Sequence, residues 1–258
     1  EDVNTLSSFR PILPNMDNNI FYGNSLLGPN DVPVEFAEEI NPFDFGERRF
    51  DLIVGNPPYM KTEDIKKFSP NEKKLYEKNN RYVSAHKQYD KYFLFVERAV
   101  NLLKKNGYLG YIIPSKFMKV GAASTLRKLI TDNKLLKIIT SFGAHQVFEG
   151  KSNYTCIMIL QKNEHDQFKY SEVEDFAAWR IRTEGAYSFC NREASILSEN
   201  TWVLYTDKHK HLLDKITRNT KTLGKIVGDD YIFNGIQTSA NKVYIFVPTG
   251  HDRSTFTF

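Results

Sequence analysis

One stretch, residues 51–59, constrains the fold of this chain more than any other. It reads Asp-Leu-Ile-Val-Gly-Asn-Pro-Pro-Tyr, a short apolar run that ends at a glycine and leads straight into a proline-rich loop. An apolar run of this length, closed by a turn residue, predicts a buried strand of a parallel sheet. Ligands of such sheets bind at the carboxyl ends of the strands, which is where we expect Asn56 to Tyr59 to lie.

The two prolines make this loop stiff, because each fixes its own φ and pushes the preceding residue into an extended conformation. The loop therefore holds the Asn56 amide, a neighbouring backbone carbonyl and the Tyr59 ring in one arrangement. The amide oxygen and the carbonyl can each accept an N–H bond, and the ring can stack on another planar group. The sequence thus predicts a grip for a planar ring that carries an amino group.

These nine residues resemble the catalytic motif of S-adenosylmethionine-dependent amino-methyltransferases, above all the adenine-specific DNA methyltransferases of TaqI-like and type IIG restriction–modification enzymes. The resemblance implies catalytic roles for Asn56, Pro57 and Tyr59, and methyl transfer to a flipped-out adenine in DNA. It also implies that the base stacks on Tyr59 and on Phe148, which lies between two later strands in the position of a family phenylalanine. The alternative for Phe148 is a loop residue that closes the sheet.

The resemblance assigns cofactor contacts to Asn24, which follows a short predicted strand, and to Pro58. A simple turn asparagine is the alternative for Asn24. The glycine-rich loop that holds most of the cofactor in the family should precede Asn24, yet residues 1–20 do not contain it. We therefore expect the chain to be an internal part of a larger polypeptide, with the main S-adenosylmethionine motif upstream and little activity of its own.

Charge is distributed unevenly along the chain. Residues 61–91, directly after the loop, carry nine Lys and Arg against five acidic residues. A basic segment beside an active site favours a phosphate backbone as partner, so we expect double-stranded DNA to bind here. A solvated lysine-rich helix is the alternative. The predicted DNA-binding residues are Lys61, Lys66, Lys67, Lys73, Lys74, Arg81 and Lys87.

The order of predicted elements indicates an α/β fold: a partial Rossmann-like methyltransferase sheet with an antiparallel edge hairpin, then the start of a β-rich target-recognition domain. Helices are predicted at about 70–78, 90–105, 120–132 and 207–218, and strands at 20–27, 50–55, 108–113, 135–142 and 153–161. The expected divisions are a lead-in at 1–20, a catalytic domain at 21–165, a connecting segment at 166–220 and the recognition domain from 221.

The remaining signals narrow the class of protein. Cys156 and Cys190 fit no metal or redox spacing, no metal site is predicted, and no apolar run is long enough to span a membrane. We expect a cytoplasmic protein. Two other functions stay open: methylation of a protein glutamine or a ribosomal-RNA guanine by the same grip, and a non-catalytic DNA-binding piece of a restriction system.

Overall fold

The computed structural model describes residues 19–150, 154–183, 188–218 and 220–228. The chain divides into two compact units, Glu1–His209 and Lys210–Phe258. Most of the predicted lead-in and nearly all of the predicted β-rich recognition domain lie outside the described residues. In the second unit, residues 223–227, which lead into that predicted domain, form a short helix, with the Thr222 hydroxyl accepting a bond from the backbone N–H of Lys225 at 3.4 Å.

The first unit is built on a six-stranded mixed sheet with the strand order β1-β2-β4-β3-β5-β6. Strand β1 pairs in parallel with β2, and β3 in parallel with β5, whereas the other three pairings are antiparallel. The strands are β1 Phe50–Gly55, β2 Leu103–Pro114, β3 Leu136–Ser141, β4 Thr155–Gln161, β5 Gln167–Glu172 and β6 Cys190–Glu193. The helices are α1 Thr62–Phe68, α2 Pro70–Glu77, α3 Lys91–Leu102, α4 Ser124–Asp132, α5 Phe176–Arg180, α6 Asp207–Thr217 and α7 Leu223–Val227.

The α/β class and several predicted elements are confirmed. Strand β1 ends at Gly55 beside β2, α2 begins at Pro70, and α4 buries Leu126 and Ile130 on one face. The predicted antiparallel pair is β3 and β4. It lies inside the sheet, because β5 and β6 extend the sheet beyond β3.

Helix α3 packs against the sheet next to β2. The apolar stripe predicted from residue spacing is buried, including Phe93, Val96 and Ala99. The predicted C-terminus at Lys105 is wrong, since the helix ends at Leu102 and β2 starts at Leu103. The reason is tertiary pairing: Leu103 pairs with Phe50, so the chain turns directly from helix into strand.

Two other predictions are wrong. The strand expected at 20–27 is absent from the described residues, where Asn24 forms only an isolated bridge with Pro42. Strand β1 is not buried as expected, because Leu52 is 62% and Val54 70% exposed. In the described sheet β1 has one neighbour, so one edge and part of one face remain open.

Candidate active site

In the loop that follows β1, one proline is buried and the residues on either side of it are exposed. Pro57 is buried, whereas Asn56 and Pro58 are exposed. Among the described residues, none forms a hydrogen bond with the Asn56 side chain. Asn56 therefore offers its amide oxygen to solvent from the carboxyl end of β1, on a backbone that two prolines hold rigid.

Tyr59 is anchored rather than free. Its hydroxyl donates to the backbone carbonyl of Ile112 in β2 at 3.0 Å. Its ring meets Tyr92 of α3 edge to face, with 6.1 Å between ring centroids. Burial, with a smaller contribution from Cys156, raises the pKa of Tyr59 to about 12, so the hydroxyl stays protonated and keeps its bond at neutral pH. The ring is half-buried and held in one orientation.

The exit of the loop is tied to the start of α3. The backbone N–H of Lys91 donates to the carbonyl of Met60 at 2.7 Å, and the Thr62 hydroxyl donates to the carbonyl of Tyr89 at 2.5 Å. Lys61 and Asp90 form an isolated antiparallel bridge. The loop is thus fixed at one end by the β1–β2 pairing and at the other by these bonds.

A further ion pair supports the same junction. The ammonium of Lys116, from the turn after β2, lies 2.7 Å from the carboxylate of Asp90, whose side chain is 11% exposed. The carboxylate is sheltered, whereas the Lys116 side chain is 40% exposed, so the pair is partly accessible to solvent and salt. It joins the turn at the end of β2 to the residue that caps α3.

Asn24 lies in a bonded turn. Its Oδ1 accepts the backbone N–H of Leu26 at 3.0 Å, and its Nδ2 donates to the hydroxyl of Tyr76 at 3.1 Å. The Tyr76 hydroxyl in turn donates to Glu72 at 2.8 Å. One N–H and one lone pair of the Asn24 amide remain available to a ligand.

The predicted DNA-binding residues fall into two groups. Lys61, Lys66, Lys67 and Lys87 are exposed, and among the described residues none forms an ion pair with them. The other three are engaged within the chain: Lys73 with Glu77 at 2.5 Å, Lys74 with Asn71 at 3.4 Å, and Arg81 with Asp31 and the Leu26 carbonyl. DNA binding by any of the seven stays a prediction.

Phe148 is half-buried in the loop between β3 and β4. The base of that loop is held by an aromatic cluster, in which Phe142 meets Trp179 edge to face at 4.9 Å and His145 stacks on Phe176 at 6.1 Å. Phe148 itself makes no ring contact with another described aromatic residue. Its stacking on a base therefore stays a prediction.

Two clefts border these elements. One, of about 610 Å³, lies at the carboxyl ends of β2 and β3 and includes Ser115, Lys116 and Tyr154 in its lining. The other, of about 360 Å³, lies between the open face of β1 and α3 and is lined largely by apolar side chains. The described residues contain no group of three or more His, Cys, Asp or Glu side chains that could hold a metal ion.

Sequence reasoning missed Tyr76, Glu72 and the Asp90–Lys116 pair. The spacing of Glu72 and Tyr76, four residues apart on a predicted helix, was the available signal, because such residues share a face. Nothing in the sequence places Asn24 or Lys91 beside that face. These are contacts between segments far apart in the chain.

The sequence model of the Eco57I restriction-modification methylase family matches residues 9–148, just over half of the chain. The chain belongs to the Eco57I restriction-modification methylase family. The family match includes the β1 strand, its Asn-Pro-Pro-Tyr loop and the loop that carries Phe148.

Relatives of this chain are longer proteins. It is 47% identical to the type II restriction enzyme and methyltransferase RM.Eco57I of Escherichia coli, over 95% of this chain and 24% of that protein. It is 26% identical to the type II methyltransferase M.BstVI of Geobacillus stearothermophilus, over 78% of this chain and 38% of that protein. The chain thus spans between about a quarter and two fifths of these relatives.

Solved structures similar to this chain include the type IIG restriction endonuclease BpuSI, with a TM-score of 0.42 and 15% sequence identity. The similarity covers 56% of this chain and 19% of the BpuSI chain. A chain of the DrdV–DNA complex has a TM-score of 0.44 and 17% identity over 61% of this chain and 18% of that one. Among the helices of the described residues, none is both long and apolar enough to cross a membrane.

Proposed function

We propose that this chain carries the catalytic loop of an adenine-specific DNA methyltransferase, which transfers a methyl group from S-adenosylmethionine to the exocyclic amino group of an adenine swung out of the duplex. One observation carries the proposal: the Asn56 amide is exposed and unbonded among the described residues, on a rigid loop at the carboxyl end of β1. The family to which the chain belongs supports it.

The chemistry follows from the target nitrogen. The lone pair of an exocyclic amino group is delocalised into the ring, which makes the nitrogen a poor nucleophile. Asn56 Oδ1 and the Pro57 carbonyl accept its two N–H bonds, which localises the lone pair on nitrogen and stabilises the positive charge that develops there. Such activation of the nitrogen requires two acceptors that are already in position when the base arrives, and it requires no strong base.

Tyr59 supplies the flat surface on which the base rests. Flipping a base out of the stack costs a few kcal/mol, and stacking on an aromatic side chain returns about 1–3 kcal/mol. Because Tyr59 is already fixed by Ile112 and Tyr92, little side-chain freedom is lost when the base arrives. Phe148 is proposed to cover the opposite face of the base.

The cofactor residues of this chain fit a supporting role. The free N–H and lone pair of Asn24 suit the edge of an adenine ring, and Pro58 is exposed beside Asn56 in the loop. When bound, S-adenosylmethionine supplies the methyl group from its sulfonium. Asn24 and Pro58 orient it, and the larger part of its site is proposed to lie in sequence that precedes this chain.

The exposed lysines in the segment after the loop favour a nucleic acid over a protein glutamine as the substrate. Lys61 directly precedes α1 and Lys66 and Lys67 lie in its last turn, in the segment that follows the loop, and each can neutralise a phosphate. A protein glutamine offers no such row of charges. The surface thus supports a nucleic acid, and membership of a restriction-modification methylase family favours DNA over ribosomal RNA.

Plasmid DNA from cells that express the intact polypeptide tests the proposal. We expect N6-methyladenine at one recurring sequence, detected by sequencing of native DNA, and none in cells that express the Asn56→Ala variant. Methylated guanine in ribosomal RNA or methylated glutamine in protein, with unmodified plasmid, would contradict the DNA assignment. The absence of any modified substrate would favour a non-catalytic role.

A second prediction separates the ring of Tyr59 from its hydroxyl. Tyr59→Ala removes the stacking surface, so we expect binding of the extrahelical base to weaken about 5- to 150-fold, equivalent to about 1–3 kcal/mol. Tyr59→Phe keeps the ring and loses only the bond to Ile112, so it should bind nearly as well as the wild type. The fluorescence of 2-aminopurine at the target position measures both, and equal losses in the two variants would contradict stacking as the role of Tyr59.

A further inference from the structure

A line of hydrogen bonds joins the predicted cofactor turn to the catalytic loop through the basic segment between them. At its centre is Tyr76, which is fully buried on α2. Its hydroxyl is bonded to Asn24 Nδ2 at 3.1 Å and to Glu72 Oε2 at 2.8 Å. Helix α2, whose lysines were predicted to contact DNA, therefore also has a buried face that forms hydrogen bonds within the protein.

The line continues beyond Glu72. Lys91 Nζ donates to the same Glu72 Oε2 atom at 3.0 Å, and the ammonium lies 5.6 Å from the centroid of the Tyr76 ring. The backbone N–H of Lys91 donates to the carbonyl of Met60, the residue after Tyr59. Three residues, Tyr76, Glu72 and Lys91, thus connect the turn at Asn24 to Met60 at the exit of the loop.

The direction of these bonds fixes the orientation of the Asn24 amide. An ionised carboxylate only accepts, so the Tyr76 hydroxyl must donate its single proton to Glu72. The hydroxyl is then left with lone pairs alone, and it can face the NH₂ of Asn24 but not its oxygen. The backbone N–H of Leu26 completes the arrangement, because it requires an acceptor and finds Asn24 Oδ1 at 3.0 Å.

We propose that Tyr76 is a positioning residue that, together with Glu72, selects one of the two orientations of the Asn24 amide for the cofactor and links that turn to the exit of the catalytic loop through Lys91. The inference rests on the proposed function, since it gives Asn24 a cofactor to hold. With the amide locked, its second N–H and its remaining lone pair point in fixed directions. Without the Tyr76 hydroxyl, only the backbone N–H of Leu26 holds the amide in that orientation, so the amide is less firmly fixed.

Tyr76→Phe in the intact enzyme tests the proposal, because it removes one oxygen atom and keeps the buried ring. We expect the affinity for S-adenosylmethionine, measured by isothermal titration, to fall about three- to tenfold. The kcat at saturating cofactor should stay within about twofold of the wild type, since full occupancy selects the productive orientation. Glu72→Gln should lower the affinity similarly, because a glutamine can donate to the hydroxyl, which then no longer needs to act only as an acceptor toward Asn24.

A double-mutant cycle separates positioning from general support of the fold. In an Asn24→Ala background there is no amide to orient, so Tyr76→Phe should cost no further affinity. The matched control is Tyr108→Phe on β2, whose hydroxyl forms no hydrogen bond with a described residue and whose side chain is 40% exposed. It should leave the affinity unchanged in either background.

The outcomes distinguish this inference from the proposed function. If the wild type binds S-adenosylmethionine and Tyr76→Phe weakens binding equally with and without Asn24, the tyrosine acts only through the fold and the inference fails alone. If the intact wild-type enzyme binds no S-adenosylmethionine, the proposed function fails and the inference with it. If Tyr76→Phe does not fold, Glu72→Gln replaces it in the cycle, and its loss of affinity with and without Asn24 is compared in the same way.

Discussion

Replacing Asn56 by alanine is expected to lower the kcat for DNA methylation by about 10²–10³-fold, the range seen when one preorganised hydrogen-bonding group is removed from an enzyme site. The loss falls on the chemical step because the Oδ1–N–H bond strengthens as positive charge develops on the nitrogen. The KM for DNA should change by less than about threefold, since phosphate contacts dominate affinity.

We expect the Asn56→Ala variant to be as stable as the wild type, so a lower kcat would not reflect unfolding. Asn56 is exposed, and no described residue forms a hydrogen bond with its side chain, so its truncation leaves no buried group unpaired. The melting temperature of Asn56→Ala should equal that of the wild type. Asn56→Asp is the matched control, because its carboxylate keeps an acceptor in the same place and should retain more activity than alanine. Single-turnover kinetics measures the step directly, and an unchanged rate for Asn56→Ala would refute the mechanism.

The second large effect concerns stability and centres on Arg127 of α4. The side chain is 2% exposed, and its guanidinium donates to three backbone carbonyls: Phe117 at 2.6 Å, Val120 at 2.8 Å and Glu199 at 2.9 Å. It therefore holds the turn after β2 and the segment before Trp202 against the same helix. Arg127→Met keeps the apolar stem and removes all three bonds, of which the bond to Phe117 is buried; the Val120 carbonyl keeps the backbone N–H of Ala123 as a donor at 3.2 Å.

We expect Arg127→Met to destabilise the protein by about 3–5 kcal/mol, because it removes three hydrogen bonds of a charged group, each contributing up to about 1.5–3 kcal/mol and less where the bond is partly exposed. Urea unfolding should show a lower midpoint with an unchanged slope. Lys128→Met, on the exposed side of the same helix, breaks only a surface pair with Asp132 and should have little effect. Comparable midpoints for the two variants would show that the three bonds do not stabilise the fold.

The parts of the fold that local patterns determine could be predicted from the sequence. The α3 stripe is buried as its spacing predicts, and Ser69-Pro70 marks the start of α2. The end of α3 was missed because Leu103 leaves the helix to pair with Phe50, a partner 53 residues earlier, and helix signals in Lys104 and Lys105 carry no information about that pairing. Tertiary pairing overrode local preference there.

In the candidate site, too, some features could be predicted from the sequence and others depend on tertiary contacts. The stiffness of the loop at Pro57 and Pro58 follows from covalent geometry and needed no structure. The anchoring of Tyr59 to Ile112, and of Asn24 to Tyr76, depends on which segments the sheet and helices bring together. The exposure of Leu52 and Val54 also escaped prediction, because an apolar strand is the same in sequence whether or not a second strand lies beside it.

The edge of β1 that faces away from β2 has no partner in the described sheet, and this affects how the loop after β1 is held. In a strand with a single neighbour, every other N–H and C=O points away from the sheet, and such an edge is a template for any extended segment that meets it. Amide protons on the open side exchange with solvent faster than those paired with β2. We therefore expect a segment that pairs with the open edge of β1 to slow amide exchange on that side and to restrain the start of the loop that carries Asn56.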